Sequence, residues 1–117
     1  MKLLTLLLLS FVVFNTNAQS LVRFYQNAKV GYKDASGNVV VQPSYEAGSE
    51  FREGYAIVLK DRKRGFIDHN GLVAIPFVYD DASLFQNGKA RVMQNGKYGW
   101  IDAQKQNRDS VSIRLGV

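Results

Sequence analysis

The chain has 117 residues, 15 Lys and Arg against 10 Asp and Glu for a net charge of +5, a single His and no Cys. The lack of Cys excludes a disulfide framework, a lipid-modified Cys and thiol chemistry, so stability has to come from packing. The basic excess is mild and dispersed apart from Arg62-Lys63-Arg64, which excludes a nucleic-acid signature and leaves an acidic envelope polymer or a plain solvated surface as its use.

Met1-Lys2 opens the chain with a positive charge, Leu3 to Phe14 is apolar apart from Thr5 and Ser10, and Asn15-Thr16-Asn17-Ala18 precedes Gln19. This reads as a secretory signal peptide over residues 1–18, too short for a transmembrane helix of about 20 residues. Removing 18 of 117 residues leaves 99 and, since Lys2 goes with them, lowers the charge from +5 to +4. The expectation is one modest secreted or periplasmic domain over residues 19–102, with no membrane-inserted segment after cleavage.

Beyond the leader the chain repeats with a period of 34 residues: Gly31, Gly65 and Gly99 are equally spaced, as are Asp34, Asp68 and Asp102. The same offset carries Gly37 onto Gly71, Tyr45 onto Tyr79, Phe51 onto Phe85, Gly54 onto Gly88, Ala56 onto Ala90 and Val58 onto Val92. Such a period marks supersecondary units that cannot bury their apolar face alone. Units fall near residues 29–62 and 63–96, with a partial copy at 97–102.

In chain order, Val22 to Tyr25 reads as an extra copy of a unit's third strand, and Gln26-Asn27-Ala28-Lys29 as the hairpin turn after it. Lys63 to Asp68 and Leu72 to Ile75 form the first two strands of the second unit, and Lys89 to Gln94 alternates polar with apolar at period two as its third. Asp34-Ala35-Ser36-Gly37 and Asp68-His69-Asn70-Gly71 are hairpin loops, the Asp capping main-chain amides and the Gly taking a left-handed conformation. Pro43 to Gly54 and Pro76 to Gly88 read as long loops with room for a turn of helix, tied down by Tyr45, Tyr79, Phe51 and Phe85. Gln94-Asn95-Gly96-Lys97 is a tight turn into Lys97 to Asp102. Residues 103–117 either decay into a tail or close the sheet through Val111 to Leu115. The fold class is all-β: tandem hairpin or meander repeats in one small antiparallel sheet or partial barrel.

Gly65-Phe66-Ile67-Asp68, Gly71, Val73 to Pro76, Tyr79-Asp80-Asp81-Ala82, Phe85, Gly88, Ala90 and Val92 together resemble the WG-repeat family of bacterial proteins. The unit from Gly31 to Val58 resembles it more loosely. The family's Trp before the Gly is replaced by Val30, Arg64 and Tyr98, while the one Trp, Trp100, occupies the position of Tyr32 and Phe66. The resemblance implies an exported or module-attached β-repeat domain with no chemistry to carry over.

His69 lies in a turn, no Cys or second His supports a metal site, and Ser36, Ser44 and Ser83 have no catalytic partner in the pattern. The recurring Asp residues fit turn capping better than calcium binding or acid–base work, and Asp80-Asp81 echoes Glu46-Ala47. No catalytic residue, metal or cofactor is expected. The tip Arg62-Lys63-Arg64 breaks the repeat, since Arg62 replaces a turn glycine, and with Tyr98 and Trp100 it forms the candidate binding set. The leading reading is a non-enzymatic module that contacts a protein or envelope polymer. A structural protein associating through open sheet edges is the alternative to a monomer, and a carbohydrate-processing enzyme ranks last.

Overall fold

The structure, a computed structural model, describes residues 20–103 and the backbone of residues 113–114. The signal-peptide segment and the rest of the tail lie outside the described residues.

All named elements are strands, and hairpins build three antiparallel sheets in succession. The first holds β1 (Val22–Gln26), β2 (Lys29–Lys33) and β3 (Val39–Tyr45). In the second, β4 (Ala47–Gly48), β5 (Tyr55–Lys60), β6 (Lys63–Asp68) and β7 (Val73–Tyr79) lie in that order. The third comprises β8 (Asp81–Ala82), β9 (Lys89–Gln94), β10 (Lys97–Asp102) and β11 (Ile113–Arg114), the last pairing with β10 and so closing that sheet.

The all-β antiparallel repeat is as expected, with the meander divided among three sheets where a single sheet or partial barrel was anticipated. The division falls at Glu46 and Asp80, one period apart, where β3 bends into β4 and β7 into β8. Each bend is held in the same way. The Glu46 amide donates to the Leu59 carbonyl and the Asp80 amide to the Met93 carbonyl. The side chains of these two residues in turn accept the amides of Asp61 and Asn95 in the following hairpin turns, at 3.1 and 3.3 Å.

The expected end of the second strand at Pro43 and Pro76 needs correction, because both prolines lie inside strands. Opposite β3, Val30 faces Tyr45 and Tyr32 faces Val41, so a two-residue step spans a four-residue step; Arg64 and Phe66 face Tyr79 and Ile75 alike. The bulge leaves ladder positions unpaired, where a proline without an amide hydrogen costs nothing. It also brings main chain close to β2 and β6: a Cβ at Gly65 would lie 2.7 Å from the Ile75 oxygen. No helical turn forms after the bulges; Arg52–Tyr55 and Gln86–Lys89 are tight turns instead.

The turn-capping reading of the aspartates holds for two copies. Asp34 Oδ1 accepts the amides of Ser36 and Asn38, and Asp68 Oδ1 those of Asn70 and Leu72.

Side-chain alternation sorts each sheet into a forward face and a rear face, and neighbouring sheets stack forward to rear. Val30, Tyr32 and Val41 from the first sheet meet Ala56, Val58 and Ile67 from the second. One period later Phe66, Ile75 and Tyr79 meet Ala90, Val92 and Ile101. An aromatic residue from the loop between the first two strands of the next sheet seals each stack: Phe51 against Tyr32 and Phe85 against Phe66, both with ring centroids 5.2 Å apart and edge-on. Phe85 also packs on Tyr55 at 4.7 Å.

Burial pushes the hydroxyl pKa of Tyr32 above its ordinary value and that of Tyr79 up to about 12. Tyr32 donates to the Ser49 carbonyl at 2.7 Å, whereas the buried Tyr79 hydroxyl has no hydrogen-bond partner among the described residues.

Phe85 is fully buried and Phe51 half-buried. Phe85→Ala is therefore expected to lower stability by about 3–5 kcal/mol, the range for losing a buried Phe, and Phe51→Ala by clearly less, as read from urea denaturation midpoints.

Candidate functional site

The candidate residues separate into two places. Lys63 and Arg64, expected to form an exposed cationic tip with Arg62, are half-buried and committed to structure. Lys63 Nζ bonds Asp80 Oδ1 and Arg64 Nη1 bonds the Asp80 carbonyl, both at 2.5 Å, so the two cations brace the bend between the second and third sheets. The tip thereby reduces to Arg62.

Arg62 and Asp61 both have positive φ, 68° and 53°, matching 79° and 53° at Gly96 and Asn95. The turn is the same type I′ hairpin made without its glycine, and Ala28 at φ 64° repeats the substitution at the first hairpin. A non-Gly residue pays backbone strain there.

Tyr98 and Trp100 lie together on the forward face of the third sheet, 47% and 51% exposed. Their repeat-mates in the first two sheets are Val30 with Tyr32 and Arg64 with Phe66, of which Val30, Tyr32 and Phe66 are 0% exposed. The forward face of sheets one and two is covered by the next unit, and on the third it is open among the described residues. Arg91 lies opposite Trp100 on β9 and stacks on the Tyr98 ring at 4.4 Å, a cation–π contact.

A groove of about 500 Å³ runs beside Trp100, bounded by Ser83, Leu84, Asn87, Lys89 and Arg91 among others. Lys89 also approaches Asp102 at 3.9 Å. This face therefore combines aromatic surface, a guanidinium and amide groups.

Sequence reasoning missed Arg91 and Asn87. The available signal was the offset of two periods that relates Arg91 to Arg23, and the single period that relates Asn87 to Glu53. His69 is exposed in its turn, as expected. Of the paired carboxylates, Asp80 is held by Lys63 while Asp81 Oδ1 accepts the amide of Ala82. Among the described residues, no group of three or more His, Cys, Asp or Glu side chains converges as a metal site.

Three stacked meanders joined by bent strands define the molecule as a tandem β-repeat protein. The model of the WG containing repeat matches residues 31–63 and 65–98, more than half of the chain, and the protein belongs to that family. The two matches begin at Gly31 and Gly65, the glycines opposite the bulges, so each family unit spans the last two strands of one sheet and the first two of the next. Neither a curated protein nor a solved structure gives a match to the chain.

Replacing the strained turn residue, Arg62→Gly, is expected to raise unfolding stability by about 1 kcal/mol in a urea titration, the relief of one left-handed non-Gly residue. The Asp80 carboxyl is held below its ordinary value of 3.8 by the bond from Lys63 first, then by Lys63 charge, the Asn95 amide and Arg64. A depressed folded pKa gives stability that is present above the ordinary value and lost as the pH falls through the folded one. Acid titration of wild type should thus show destabilisation developing below about pH 4, and Asp80→Asn should flatten that part of the curve.

Proposed function

We propose that this chain is an exported, non-enzymatic binding module that holds a protein partner on the forward face of its third sheet, in the secreted, periplasmic or cell-envelope space. The observation that carries the reading is the exposure of Trp100 and Tyr98 on the one forward face left open among the described residues. Exposed aromatic residues beside an Arg are the composition of interface hot spots, because they bury much area with few rotors to fix. The apolar run Leu3 to Phe14 behind Lys2 supports export. The non-enzymatic part is supported by carboxylates already engaged in turns and bends, Asp34, Asp68 and Asp80 among them.

Co-sedimentation with envelope fractions from the source cells tests this, at low and near-molar salt. Trp100→Ala should weaken binding at least about tenfold, which corresponds to ~1.4 kcal/mol, and Arg62→Glu should leave it unchanged. Protease treatment of the fraction should abolish capture. Capture that survives protease identifies an envelope polymer instead, and capture lost to salt and to Arg62→Glu but indifferent to Trp100→Ala overturns the reading in favour of the hairpin tip.

A further inference from the structure

The groove beside Trp100 has two counterparts inside the molecule, and both are filled by a phenylalanine. One period back, Tyr55 and Phe66 occupy the positions of Lys89 and Trp100, and Phe85 sits against both. Two periods back, Tyr32 stands for Trp100 and receives Phe51. Each inserted ring comes from a loop of the following sheet, after a short strand has crossed the bend.

Polar groups around the groove repeat the same logic. Arg23, the mate of Arg91, reaches from the first sheet to the carbonyl of Gly48 in the lead strand of the second, at 2.6 Å. Glu53, the mate of Asn87, takes the amides of Asn87 and Gly88 in the next loop, at 2.8 and 2.9 Å. Arg91 and Asn87 therefore stand where the array makes its main-chain contacts to an incoming unit. Both border the groove.

On this basis, and resting on the protein-partner reading, we infer that the groove takes an aromatic side chain from a loop of another polypeptide, with Arg91 donating to a main-chain carbonyl of that partner. Ala103 to Val117 contains no aromatic residue that could supply such a ring. A second copy fits poorly. Its first sheet carries Lys33 at the phase of Ile67 and Ile101. Lys33 lies over the Phe24 ring at 4.5 Å on the rear face of the first sheet, so a charge stands where an incoming unit would present an apolar side chain. Neither the cation of that face nor Arg91 and Lys89 opposite would favour stacking copy on copy.

Because Trp100 is the only tryptophan, its fluorescence reports on the groove alone. The probe is a synthetic peptide copying residues 83–93, which contains Phe85 and its flanking loop and no Trp. Titrated into the full chain, it should shift Trp100 emission to the blue and protect it from iodide quenching, saturably. The same peptide with Phe85→Ala should lose at least tenfold in affinity, and Arg91→Ala in the chain should weaken the original peptide severalfold. No spectral change up to millimolar peptide, or equal changes with both peptides, overturns the inference. If envelope binding still depends on Trp100 in that event, the forward face binds its partner by other chemistry and only the aromatic insertion is wrong; if that dependence is absent too, both readings fall. Sedimentation velocity supplies a further check, because Trp100-dependent association of wild-type chains would make a second copy the occupant and overturn the choice of a different polypeptide.

Discussion

Everything in this fold follows from the inability of a three-stranded meander to bury its own apolar face. A lone small sheet exposes one side of its core residues to water, and burial of apolar area is the main stabilising term available to a chain without disulfides. The solution is to copy the sheet and stack the copies, so that Tyr32 and Val41 are covered by Ala56, Val58 and Ile67, and Phe66 and Ile75 by Ala90, Val92 and Ile101. The middle sheet is buried on both faces. Among the described residues the outer two are covered on one face only, and what stands on their outward faces differs in chemistry: a lysine on a phenylalanine at the rear of the first, an arginine, a tyrosine and a tryptophan at the front of the third.

Stacking requires the chain to pass from sheet to sheet within a short distance. The bulge opposite Gly31 and Gly65 makes this possible by adding length to one strand only, which raises its twist and bends it toward the next sheet. Glycine is required there because the bulged main chain occupies the space of a Cβ. The carboxylates of Glu46 and Asp80 then fix the bend to the next hairpin turn, with Lys63 and Arg64 added at the second bend only.

Much of this was legible in the sequence because the repeat announces its own phase. The hairpins at Asp34 and Asp68 and the tight turn at Asn95-Gly96 are written in local residue types, and their strands form where period-two alternation places them. The bulge was not legible, since proline normally signals a strand end and only the pairing register reveals that Pro43 and Pro76 sit inside one. Lys63 and Arg64 looked like a free cationic tip because their partner, Asp80, is 17 and 16 residues away in sequence and is brought to them by the bend. Tyr98 and Trp100 stood out as departures from the family's Trp position, and the structure leaves both about half exposed. The role of the surface they lie on depends on the stacking direction, which side-chain alternation alone does not define.

The bent strands carry a mechanical consequence. Since β3 with β4, and β7 with β8, are nearly continuous runs interrupted at one residue, adjacent sheets share a strand rather than a linker. Tension applied along the chain enters the hydrogen-bond ladders of two sheets at the same time, and a unit can leave the stack only after the ladders on both sides of its bend have sheared. The array therefore behaves under load as an interlocked weave and not as beads on a string, whose members would come free one by one.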